Sequence, residues 1–150
     1  MAVVVAVDGS AGSSSAIRLA EQEARWRAVP LLAVSAYRTD STAGAQAGRR
    51  ISTLRTQDDD RAVAASALRD AVTAALGDES ERAGLRVVPG LAGRAIVSVA
   101  ESEQAELIVL AARPGPSHFP GTVGQYVLRN AQCPVLIVPA GQRTTARLGA

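Results

Sequence analysis

Short apolar runs recur along this chain, and stretches of helical periodicity separate them. That alternation constrains the fold more than any other feature. The first run, AVVVAV at residues 2–7, is continuously apolar and rich in β-branched side chains. Such a strand is buried on both faces, which is the situation inside a parallel sheet covered by helices. LLAVSAY (31–37), LRVVPG (85–90), AELIVLAA (105–112) and CPVLIVP (133–139) read as the other four strands.

The intervening segments carry helical signals. Ile17, Ala20 and Ala24 recur at helical spacing, with Glu21, Glu23, Arg25 and Arg27 directed mostly outward. A serine among Ser13, Ser14 and Ser15 is the expected N-cap, and Val29-Pro30 ends this helix. Residues 38–57 lack periodicity and predict a long mobile loop. Asp58, Asp59 and Asp60 then set negative charge at a helix start, where the dipole favours it. Ala64, Leu68, Ala71, Val72 and Ala75 form that helix's apolar stripe, and Gly77 closes it. A third helix is expected over 94–103, with Ile96, Val97, Val99 and Ala100 inward. A short fourth, over 122–130, carries Val123, Tyr126 and Val127. Strict β-α alternation predicts a doubly wound, Rossmann-like parallel sheet with helices on both faces. Its ligands bind beyond the carboxyl ends of the strands. The loops after the first, second and fourth strands are therefore the candidate site.

A length of 150 residues suits one domain, expected over 1–140 with a flexible polar tail at 141–150. Sixteen basic residues face fourteen acidic ones, and aromatics make up 3%. That balance argues against nucleic acid as a partner. No apolar stretch approaches the roughly 20 residues of a membrane span, and the N-terminus does not resemble a signal peptide. A cytoplasmic protein is expected. All its basic side chains are arginine, which excludes a phosphate-loop lysine. Cys133 is the sole cysteine, so neither an intrachain disulfide nor a multi-cysteine metal site can form.

Catalytic chemistry has little support. His118 is the only histidine and makes no triad by itself. The three aspartates at 58–60 face different directions on a helix, so they read as capping charge rather than metal ligands. No catalytic residue and no metal site is assigned, and an enzyme is not expected, with slow nucleotide hydrolysis left open. Asp8 ends the first strand at the mouth of the expected crevice. It reads either as an acceptor for a ribose hydroxyl or as the start of an Asx turn into Gly9-Ser10. GTVG (121–124) reads as an anion site built from a flexible glycine, an N-capping Thr122 and a helix dipole, or as a plain capped helix. No G-x-G-x-x-G follows the first strand, so the dinucleotide fingerprint is missing.

Four segments resemble the universal stress proteins: VVVAVDGS (3–10), LLAVSAY (31–37), GLAGRAIVSVAESEQAELIVLAAR (90–113) and GTVGQYVLRNAQCPVLIVP (121–139). The last is the most specific, and the resemblance spans nearly the whole chain in order. It implies a five-stranded parallel sheet ordered 3-2-1-4-5 and a regulatory or binding role in stress response. It also implies a homodimer joined through the last strand, here Val135–Val138. The residue at Val34 packs on adenine in nucleotide-binding members. Val7, Asp8, Val34, Arg113, Gly121, Thr122 and Val123 are the implied nucleotide contacts. No cofactor is required; ATP or another adenine nucleotide is the candidate ligand, and a protein partner is an open expectation. One departure stands out. ATP-binding members carry G-x2-G-x9-G-[ST] after the fourth strand. Here Ala111 and Pro114 stand at the first two glycines, and only six residues separate Pro114 from the retained Gly121-Thr122. The expectation is weak, altered or lost ATP binding. The alternative is a competent binder of ATP, AMP or cyclic AMP, with Arg113 helping to hold phosphate.

Overall fold

A computed structural model describes residues 1–10, 12–39, 56–112 and 121–139. Within them the chain runs β1 (Ala2–Ala6), α1 (Ser13–Arg27), β2 (Leu31–Tyr37), α2 (Gln57–Leu76), a 3₁₀ turn (Gly77–Arg82), β3 (Gly84–Pro89), α3 (Ala92–Ser102), β4 (Ala105–Ala111), α4 (Gly121–Asn130) and β5 (Val135–Val138). The strands form one sheet in the order β3-β2-β1-β4-β5, and the pairings are parallel. The expected fold class and strand order are both present. No helix among the described residues is long and apolar enough to cross a membrane.

The layering follows from side-chain alternation in the strands. Val3 and Val5 of β1 point to one face. There they pack with Ala16, Ile17, Ala20 and Ala24 of α1 and with Leu68 and Val72 of α2. Val4 points to the other face and joins Leu32, Val34, Ile108 and Leu110. Ile96, Val97, Val99 and Ala100 of α3 and Val127 of α4 cover that group. Val3, Val4 and Val5 are all fully buried. Burying a side chain of this size contributes about 1.5–3 kcal/mol, and a polar residue at any of these three positions would be buried without a partner. Strand order reverses between β1 and β4. Their registered pairs Val3–Leu107, Val4–Ile108 and Val5–Val109 carry the two strands side by side to a common end.

Several element boundaries differ from the sequence reading. None of Ser13, Ser14 and Ser15 caps α1: the N-cap is Gly12, with no side-chain cap bond, and Ser13 is already helical, its hydroxyl donating to Asp8. The predicted loop over 38–57 ends early. Thr56 caps α2 in a reciprocal box with Asp59, and Asp58, Asp59 and Asp60 fill the first turn. Residues 40–55, the core of that predicted loop, lie outside the described residues, as does the expected tail at 141–150. α3 begins at Ala92, two residues before the expected start. β5 begins at Val135, after Cys133, since Pro134 has no N–H for the ladder. α4 begins at Gly121, so Thr122 lies inside its first turn and is not the N-cap.

Candidate functional site

The ends of β1, β2 and β4 meet the starts of α3 and α4 around a crevice of about 130 Å³. Its lining comes from Ala6, Val7 and Asp8 after β1, Val34 and Ala36 of β2, and Leu110 and Ala111 of β4. The helices add Ala92 and Ile96 from α3, and Val123 and Gly124 from α4. Among the described residues the wall is apolar, and Asp8 supplies its one charged side chain. Larger hollows occur elsewhere on the surface. One of about 300 Å³ lies between Glu21, Arg25, Glu79 and Arg82, but it sits away from the strand ends where a sheet of this kind binds its ligands.

Asp8 holds its position through a local network. Its Oδ1 accepts the Ser10 backbone N–H at 2.9 Å and the Ser13 hydroxyl at 3.0 Å. The first bond is the Asx turn anticipated from the residues, and the second ties the turn to α1. Partial burial raises the Asp8 pKa. Hydrogen bonds from the Ser10 hydroxyl, the Ser10 amide and the Ser13 hydroxyl outweigh that effect and hold it below the ordinary carboxylate value. Asp8 is therefore an anchored anion at neutral pH. The bonds from the Ser10 N–H and the Ser13 hydroxyl both fall on Oδ1, and the residue stays exposed. An ionised carboxylate has about four acceptor positions, so capacity for a ligand hydroxyl remains.

Val34 is 1% exposed and Val7 5%, so both form the floor rather than the rim. Ala111 ends β4 against the β1–α1 connection: a Cβ built on Gly12 would lie 3.3 Å from the Ala111 methyl. At the far side Gly121 has φ +68, a left-handed backbone that glycine adopts without penalty. The first turn of α4 carries no acidic residue, and Thr122 is exposed there. The positive end of the helix dipole thus meets no opposing charge from its own turn. Among the described residues, no group of three or more His, Cys, Asp or Glu side chains is placed to hold a metal ion.

The sequence model of the universal stress protein family matches residues 1–139. This chain belongs to that family. Solved structures agree at the level of fold. A universal stress protein from Lactobacillus plantarum is 20% identical, with a TM-score of 0.70, over 92% of this chain and 97% of that one. A universal stress protein in complex with cAMP is 24% identical, with a TM-score of 0.63, over 92% of this chain and 96% of that one. The universal stress protein from Archaeoglobus fulgidus in complex with dAMP is 22% identical, with a TM-score of 0.61, over 91% and 96%. No curated protein matches the sequence.

Within this universal stress protein fold, Val7, Asp8, Val34 and Val123 come together in one crevice. Gly121 and Thr122 occupy the same first turn of α4 as Val123 but stand outside the lining. Arg113, with the rest of 113–120, lies outside the described residues. The sequence reading did not include Ala6, Ala36, Ala92, Ile96, Leu110, Ala111 or Gly124 among the contacts. Two of them had a usable signal. Ala36 is two residues beyond Val34 and so shares its face of β2, and Leu110 occupies the corresponding core face of β4.

Proposed function

We propose that this chain is a regulatory nucleotide-binding protein of stress response, not an enzyme. It holds an adenine nucleoside in the crevice and takes nucleotides with one phosphate in preference to ATP. The observation that carries this reading is the asymmetry of the crevice. Its nucleoside side is assembled: an anchored Asp8 carboxylate stands at the rim of an apolar slot floored by Val7 and Val34. Its phosphate side is depleted. Ala111 and Pro114 stand where the family resemblance calls for glycine, and proline has no N–H to offer a phosphate. A hydrogen bond to a charged group is worth about 1.5–3 kcal/mol. Losing the one that Pro114 cannot make weakens triphosphate binding by about one to two orders of magnitude, and the Ala111 methyl adds bulk where glycine would let a phosphate approach. Gly121, Thr122 and the open end of α4 suffice for a single phosphate. The cAMP and dAMP complexes of two family members, both one-phosphate ligands, support the reading.

The same reading includes a cytoplasmic location and a homodimer joined along β5. Calorimetric titration of the full chain with ATP, AMP and cyclic AMP tests the ligand. AMP or cyclic AMP is expected to bind at least as tightly as ATP, and Asp8→Ala to abolish the heat of binding. ATP binding tighter than AMP, lost on Arg113→Ala, would instead favour a rebuilt triphosphate loop. No response to any nucleotide at millimolar concentration would leave the fold to an interaction role without a small ligand.

A further inference from the structure

We propose that Gly93 and Tyr126 form a positioning contact that sets the distance between the α3 and α4 walls of the crevice, and through it the nucleotide affinity. The affinity part rests on the nucleotide reading above; the geometric part stands without it. Gly93 is buried in the first turn of α3. A Cβ built there would lie 2.9 Å from Tyr126 Cδ1 and 3.1 Å from both its Cβ and Cγ. Carbon atoms at rest sit about 3.5–4.0 Å apart. Because the Tyr126 Cβ is itself too close, turning the ring about χ1 does not clear the clash. The backbone of α3 or α4 has to move.

That movement reaches the crevice directly. Ala92 precedes Gly93 and Ile96 lies three residues after it; both line the crevice. Val123 and Gly124, which line the opposite helix wall, lie three and two residues before Tyr126. Positions three apart share a helix face, so the ring seats between the same faces that carry the lining. Tyr126 is 36% exposed, and filling the core does not account for a large ring here. Its role in the structure is to rest on the one residue of α3 that has no side chain to oppose it.

Helix propensity and positioning make opposite predictions. Alanine is the better helix former, so a purely local role for Gly93 has Gly93→Ala stabilise the chain and leave binding alone. Positioning has Gly93→Ala reduce AMP affinity about tenfold, equivalent to about 1.4 kcal/mol. The double variant Gly93→Ala/Tyr126→Ala is expected to recover most of that loss. Tyr126→Phe keeps every contacting atom and is expected to bind as the unaltered chain does. Tyr126→Ala alone removes the spacer, lowers affinity, and serves if Gly93→Ala does not fold.

AMP titration by calorimetry is paired with backbone amide shifts of Val7, Asp8, Val34 and Leu110 measured without ligand. Shifts that move in Gly93→Ala and return in the double variant support the contact. If the unaltered chain binds no AMP, the nucleotide reading falls and the amide shifts alone judge the contact. Unmoved crevice amides in both Gly93→Ala and Tyr126→Ala overturn the proposal. So does a loss of AMP affinity that Tyr126→Ala leaves unrelieved.

Discussion

Asp8 shows how one residue serves both structure and site. Its carboxylate is charged because the bonds from Ser10 and Ser13 outweigh the cost of partial burial. A pKa lowered by folding means the unfolded chain binds the proton more readily. The stabilisation is therefore complete above the unfolded pKa and is lost as pH falls through the folded one. Asn at this position keeps an acceptor for the Ser10 N–H but has no charge to protonate. Asp8→Asn is expected to melt below the unaltered chain at neutral pH, with the gap closing as the medium is acidified below the ordinary carboxylate range. Thermal melts across that range check the sign; a gap that stays constant would mean the bonds gain nothing from the charge. Gly121 makes a second residue-scale case. With φ at +68, any side chain there meets the left-handed penalty of about 1–2 kcal/mol. Gly121→Ala is expected to lower the melting temperature and to fray the start of α4, which amide exchange at Val123 and Gly124 detects.

At the scale of elements, strands were easier to read than helix starts, for a physical reason. A strand buried on both faces excludes polar residues from its middle, so AVVVAV and the LIVL of AELIVLAA admit few other readings. A helix start is decided by one or two hydrogen bonds, and a neighbour can divert them. Three serines in a row suggest a cap for α1, but the helix already begins at Ser13, whose hydroxyl donates to Asp8, and Gly12 stands at the cap. Thr56 was overlooked because it lies in a stretch without periodicity. Yet Thr56 and Asp59 make the reciprocal cap of α2, with bonds of 3.0 and 3.3 Å. Removing a Thr cap typically costs about 1 kcal/mol. Thr56→Ala is expected to lower the unfolding free energy from urea melts by that amount, through a lower midpoint at an unchanged m-value, and Thr56→Ser to restore it. The crevice was only half legible for a related reason. Val7, Asp8 and Val34 sit at strand ends, which the periodicity locates. Ala92, Ile96 and Gly124 enter only through the packing of α3 on α4, and no spacing along the chain records that packing.

For the whole molecule, the sheet has two edges of unlike character. β3 is blunted. It carries Arg86, paired with Glu103 at 2.7 Å, and it ends in Pro89. Charge and proline on an edge discourage pairing with another chain. β5 is Val-Leu-Ile-Val, without charge or proline, and Val135, Leu136 and Ile137 are only partly buried. Leu136 and Val135 pack against the two cores, whereas Ile137 appears in neither. An apolar edge that the described residues leave open is stable in solution when a second edge covers it, and a second β5 is the complementary surface that every copy supplies. The proposed homodimer therefore has a directional test. The unaltered chain is expected to sediment at twice its 15.4 kDa mass. Ile137→Lys places a charge in the middle of the β5 edge and is expected to sediment as a monomer with its fold intact by circular dichroism. Leu85→Lys, a matching change on the exposed β3 edge, is expected to leave the dimer unaffected. Dissociation by Leu85→Lys alone would move the interface to the opposite edge. An unaltered chain that sediments as a monomer would mean that β5 is protected within its own chain.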